Sequence, residues 1–177
     1  MFWVIVLIIV LVYLFVKSYN GLQRSAQHVH EMYSNIRVYL QKYVETINKL
    51  QEVVKDYAGY EKLITLKVSD NIQELSMQTK QAMTNVLALA QNYPELKANI
   101  SYQQLMGEIS RIQTELANVR ATYNDAVRNY NSQLATIPQV LYAKSCHFEP
   151  ASYYDPDNLA AMKDSSTDDG QALQELI

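Results

Sequence analysis

No proline precedes Pro94, and the only glycines before it are Gly21 and Gly59. A stretch so free of breakers, and rich in Leu, Val, Gln, Glu and Lys, folds most readily as long helices, because proline removes a helix hydrogen bond and interior glycine costs about 1 kcal/mol relative to alanine. Apolar residues recur in it at alternating spacings of three and four: Leu22, Ala26, Val29, Tyr33, Ile36, Leu40, Tyr43, Ile47, Leu50, Val54 and Tyr57. That is a heptad seam, with every member on one stripe of a single helix. Gly59 then supplies a C′ residue for a left-handed turn, and Gly21 is the one internal hinge position.

A second helix is expected from Tyr60 and Glu61, with an acid in its first turn. Its seam is looser, through Ile64, Val68, Ile72, Leu75, Met83, Val86, Leu87 and Ala90, and polar residues 69–71 and 76–81 interrupt it. It stops at Asn92-Tyr93-Pro94, since the residue before proline avoids the α region. A third helix begins at a capping box, with Ser101 as N-cap and Gln104 at N3. Its seam runs Leu105, Ile109, Ile112, Leu116, Val119, Tyr123, Ala126, Tyr130, Leu134 and Ile137, and Pro138 closes it. A short apolar turn at Val140-Leu141-Tyr142 follows, then an extended strap over 143–156 held on the bundle by its aromatics. From about residue 157 the chain is small, polar and acidic, a composition expected to stay disordered.

Ahead of the heptads stands a run apolar on every face: Phe2, Trp3, Val4, Ile5, Val6, Leu7, Ile8, Ile9, Val10, Leu11, Val12, Tyr13, Leu14, Phe15 and Val16. As a helix it covers about 22 Å, against roughly 30 Å of bilayer hydrocarbon. Thinning of the bilayer or oligomerisation can absorb that difference. Phe2, Trp3 and Tyr19 suit the headgroup level. A cleaved signal peptide needs a basic n-region and a small-residue cleavage site, and this run has no Lys or Arg before it and exits into Lys17-Ser18-Tyr19-Asn20. Residues 1–18 therefore read as a membrane anchor whose partner is the lipid bilayer. Lys17 and Arg24 follow the span, so the positive-inside rule places the bundle in the cytoplasm and the N-terminus outside.

A formal net charge of -3 argues against a nucleic-acid surface, which needs a basic stripe. The only cysteine is Cys146, and with His147 alone beside it there is neither a disulfide framework nor a zinc set. His28 and His30 point about 200° apart on a helix and cannot chelate together. An EF-hand reading of Ser165, Thr167, Asp169 and Gly170 fails because Leu176 falls where a bidentate glutamate is required. No phosphate loop, HExxH or GxSxG string is present. No cofactor, metal or catalytic residue is expected, and so no enzyme. The densest polar group, Arg120, Asn124, Asp125, Arg128 and Asn131, offers two readings: a network that fixes helix register, or a contact face for a partner.

Several strings resemble a known family. Tyr19-Asn20-Gly21-Leu22, then Leu40-Gln41-Lys42, Glu45, Ile47, Leu50, Glu52, Val54-Lys55, Tyr57-Ala58 and Glu61, look like the first block of the LemA family. Tyr93-Pro94-Glu95-Leu96-Lys97-Ala98-Asn99 resembles its YPxLKA block, and Arg120-Ala121-Thr122-Tyr123-Asn124-Asp125-Ala126-Val127-Arg128-Asn129-Tyr130-Asn131 its RxxYNxAVxxYN block. Pro138 and Phe148 also match in place. Asn48 departs from the pattern, standing where the family usually has a proline, and predicts a straighter first helix here.

The resemblance implies a single-pass membrane protein with a long antiparallel helical bundle and does not imply an enzyme; membrane organisation or envelope maintenance is the role usually suggested. Together these readings give an all-α chain: a transmembrane helix at 1–18 continuing into an elongated antiparallel bundle of three long helices over 19–142, with a short fourth as the variant. Its expected home is the bacterial cell (inner) membrane. Its expected role is a self-assembling, homo-oligomeric scaffold, or else an adaptor recruiting an unidentified membrane or cytoplasmic protein through the third helix.

Overall fold

The computed structural model describes residues 1–58, 66–67, 69 and 71–155. Helices are the only regular secondary structure among those residues. The helices are α1 (Phe2–Ala58), α2 (Ile72–Asn92), α3 (Ile100–Leu134) and the single turn α4 (Gln139–Tyr142). Two 3₁₀ turns, Pro94–Ala98 and Lys144–Cys146, complete the set. Gly59, the expected start at Tyr60 and Glu61, the seam members Ile64 and Val68, the side chain of Tyr57 and the acidic tail lie outside the described residues.

The chain divides into two compact units, one joining Met1–Tyr33 to the chain from Ala121 onward, the other Ser34–Arg120. In the first unit the core is built by Leu22 and Val29 of α1, by Tyr123, Ala126, Val127, Tyr130 and Leu134 of α3, and by Tyr142, Ala143 and Tyr154. Here α1 and α3 run antiparallel: the rings of Tyr33 and Tyr123 lie 6.2 Å apart, and Gln133 Nε2 donates to Ser25 Oγ at 2.8 Å. Ala26 and Tyr33 are only half-buried. Beyond this packing, residues 2–16 extend exposed, apart from the half-buried Val6.

In the second unit α1 buries Ile36, Leu40, Tyr43, Val44, Ile47, Leu50 and Val54, and α3 buries Tyr102, Ile109, Ile112 and Leu116. The stripe on α1 is wider than a strict heptad seam, since Thr46 and Gln51 are buried as well. Thr46 is satisfied by donating to Lys42 O at 3.0 Å, the return bond a helical threonine can make to the preceding turn. On α2 the buried positions are Ile72, Leu75, Thr79, Ala82, Val86 and Ala90. The expected seam needs correction there: Leu87 is exposed, Met83 half-buried, and Thr79 enters the core from within the polar interruption. Its hydroxyl donates to Leu75 O at 2.8 Å, so burial leaves it paired.

Three element boundaries differ from the expectation, each for a local reason. Leu66, Lys67, Ser69 and Asn71 are outside any helix, and α2 begins at Ile72. Asn71 caps it: its Oδ1 accepts the Glu74 N–H at 3.3 Å, while Ser69 Oγ donates to Glu74 Oε2 at 2.8 Å. α3 begins at Ile100, one residue before Ser101. The 3₁₀ turn from Pro94 ends at Ala98 and leaves Asn99 extended, where its Oδ1 accepts the Tyr102 N–H at 3.0 Å. Asn99, and not Ser101, is the N-cap. α3 ends at Leu134, and Ile137 is 80% exposed rather than a seam residue. The Pro138 ring would collide with the carbonyl four residues back, at Leu134, so the helix stops there and Thr136 Oγ1 donates to Gln133 O at 2.8 Å. The Ile137–Pro138 peptide is cis.

Candidate functional site

α4 and the following 3₁₀ turn end in a left-handed residue, His147, with φ 59°. Phe148 N donates to Ala143 O at 2.9 Å and His147 N to Lys144 O at 3.3 Å, the paired bonds of a Schellman motif. This turn redirects the chain into the strap. His147 therefore holds a backbone position, one that usually falls to glycine, and Cys146 is half-buried beside it.

The strap lies on the polar block of α3, and two asparagines hold it. Asn131 Nδ2 donates to Ala151 O at 2.8 Å while its Oδ1 accepts the Ala151 N–H at 2.9 Å. Asn124 repeats the arrangement on Tyr154, accepting its N–H at 2.7 Å and donating to its carbonyl at 3.4 Å. Between them Tyr123 OH donates to Ser152 O at 2.8 Å. Each amide presents one acceptor and one donor side by side, as a neighbouring β-strand would.

The spacing follows from chain geometry. Seven residues of helix advance about 10.5 Å, and three residues of extended chain advance roughly 10 Å. Asparagines seven apart on α3 thus meet strap residues three apart, running antiparallel. Aromatics contribute less than expected: Tyr154 is buried and Phe148 packs on Tyr19 at 5.5 Å between centroids, but Tyr153 is 49% exposed. The same two-bond clamp recurs in the other unit, where Asn48 Nδ2 donates to Leu66 O at 3.0 Å and Oδ1 accepts the Leu66 N–H at 2.9 Å.

The remaining members of the polar group stand differently. Arg128 pairs with Asp125 at 2.7 Å, both exposed, a contact of a few tenths of a kcal/mol. Arg120 is half-buried in the second unit and lies close enough to Tyr43 to act on its phenol. Burial pushes the Tyr43 hydroxyl above its ordinary value, opposed by a hydrogen bond from Gln113 Nε2 at 2.8 Å and by the Arg120 charge. Burial raises Tyr102 likewise. Asn124 and Asn131 are thus occupied by the chain's own strap, leaving Asp125 and Arg128 as the solvent-facing part of the group. Among the described residues, no three His, Cys, Asp or Glu side chains converge as metal ligands.

The sequence profile of the LemA family matches residues 32–166, which includes both clamps and the strap. The chain belongs to the LemA family. Among curated proteins none matches it. In this LemA-family chain the RxxYNxAVxxYN block supplies Tyr123, Asn124 and Asn131 to the strap, and Asn48, the departure from the family pattern, supplies the clamp on Leu66. Among the described residues one helix, α1, carries a segment long and apolar enough to cross a membrane, and no residue of that segment is fully buried.

Proposed function

We propose that this LemA-family chain is a non-enzymatic structural protein of the cell membrane, anchored by residues 2–16 and self-assembling there through the anchor. The exposed apolar run carries the reading. Phe2, Trp3, Leu7, Ile9, Leu11 and Phe15 are between 45% and 81% exposed, a patch far larger than a water-soluble surface sustains. Lys17 and Arg24 after the run support a cytoplasmic position for the rest of the chain. The short anchor favours clustering, because neighbours share the bilayer thinning it requires. The buried tyrosines do not add to this: Tyr43, Tyr123 and Tyr142 find partners within the fold at Gln113, Ser152 and Ser18. Vesicle flotation tests the anchor, with the full chain expected to float and a variant lacking residues 1–18 expected to stay at the bottom. Flotation of both would overturn the reading.

A second reading, a tethered adaptor, draws support from the exposed Asp125–Arg128 pair. It expects Arg128→Ala to lose a partner in pull-downs while helicity is retained, and an unchanged partner set would remove it.

A further inference from the structure

Among the described residues, the two most exposed apolar side chains outside the anchor are Ile137 at 80% and Leu141 at 76%, both on the turn after α3, where Val140 is 50% exposed between them. Nothing in the first unit's core claims them, although the next residues, Tyr142 and Ala143, are buried. What Tyr142 packs against fixes the level of this turn. Its ring meets Phe15 edge-on at 4.9 Å and Tyr19 at 6.4 Å, and its hydroxyl shares a hydrogen bond with Ser18 Oγ at 2.8 Å. Phe15 belongs to the apolar run, and Ser18 and Tyr19 come directly after it. These three contacts bracket Val16 within about 6 Å of helix axis. The headgroup zone is itself roughly 5–8 Å deep on each side of the hydrocarbon. A turn held at that level meets the bilayer surface as soon as the anchor is inserted.

We infer that α4 is a second, interfacial membrane contact, with Ile137, Val140 and Leu141 dipping into the headgroup–acyl boundary beside the point where α1 leaves the bilayer. The inference rests on the anchor proposed above, and it names the lipid surface as the occupant of this patch because the patch is continuous with the anchor through Phe15 and Tyr142. Charge placement agrees. Lys17 directly follows the apolar run and Lys144 comes three residues after Leu141, both exposed, and ammonium groups near an interfacial apolar element favour anionic headgroups. The contact also gives the anchor a fixed depth: Tyr142 holds the turn against α1, so the short apolar run is seated by two elements rather than one.

The test uses the full chain in phosphatidylcholine–phosphatidylglycerol vesicles at low protein-to-lipid ratio, with Cys146→Ser as background. An environment-sensitive fluorophore is placed in turn at Leu141→Cys, at Ile9→Cys within the anchor, and at Ala121→Cys on the exposed surface of α3. Leu141 and Ala121 are exposed, so labelling there leaves the core intact. The inference expects the Leu141 label to be quenched roughly twofold more by shallow than by deep lipid nitroxides, the depth at which an interfacial element lies. The Ile9 label should respond to deep nitroxides and the Ala121 label to neither. A Leu141 label reached by aqueous iodide but by no nitroxide, with Ile9 still quenched, overturns the inference and leaves the anchor standing. A Leu141 label shielded from both quenchers places another copy of the chain over the patch and also overturns it. An Ile9 label that no nitroxide reaches removes the anchor and this inference together.

Discussion

Replacing Asn131 with alanine should release one end of the strap while leaving the bundle folded. The side chain makes two hydrogen bonds to the backbone of Ala151, at 2.8 and 2.9 Å. A typical bond contributes about 0.5–1.5 kcal/mol net, so the pair contributes about 1–3 kcal/mol. Ala151 is half-buried, and water regains part of the lost pairing in the opened state. About 2 kcal/mol is the expected loss, which at 1.4 kcal/mol per factor of ten is roughly thirtyfold in the opening equilibrium. Amide hydrogen exchange at Ala151 reads this directly, because its N–H is one of the two bonds. Asn131→Asp separates hydrogen bonding from volume. At neutral pH the carboxylate still accepts from the Ala151 N–H but turns a second oxygen toward the Ala151 carbonyl, so protection falls. As pH drops and the carboxyl takes up a proton it donates again, and protection returns. Unchanged exchange at Ala151 in Asn131→Ala, or a pH-independent Asn131→Asp, would refute the clamp.

Three further outcomes follow from the same structure. Tyr43 and Tyr102 hold their protons more tightly folded than unfolded, so above the ordinary phenol value of 10 the unfolded chain releases protons first and stability falls with rising pH until the folded values are passed. Tyr43→Phe with Tyr102→Phe should flatten that alkaline limb in denaturant titrations. Asn48→Pro restores the usual family residue but breaks an interior α1 hydrogen bond and the Leu66 clamp, and should cost about 3 kcal/mol or more by thermal unfolding in detergent. His147→Gly relieves a left-handed side-chain clash and should stabilise the first unit by up to about 1 kcal/mol, whereas His147→Val should destabilise it.

The long helices were legible because burial on them is periodic. Leu22, Val29, Ile36, Leu40, Tyr43, Ile47, Leu50 and Val54 are all buried on α1, and Ile109, Ile112, Leu116, Tyr123, Ala126, Tyr130 and Leu134 on α3. Helix starts were harder. Asn99 and Ser101 are both good caps two residues apart, and the Pro94 turn, not the capping-box spacing, decides between them. The start of α2 did carry a signal, Asn71 three residues before Glu74, which the apolar spacing upstream obscured. Asn124 and Asn131 stood out as a polar group, but their partners lie 30 and 20 residues away along the chain. What could have exposed the pairing is the match between seven helical and three extended residues. The α4 patch was legible only as a short apolar turn; its closeness to Phe15 needed the fold.

The most direct test of a self-assembling membrane scaffold is the mass of the full chain in mild detergent, beside the variant lacking residues 1–18. A defined large oligomer is expected for the full chain and a monomer for the truncated one, since the proposed assembly runs through the anchor. Monomers in both would contradict it and turn attention to a partner at Asp125 and Arg128.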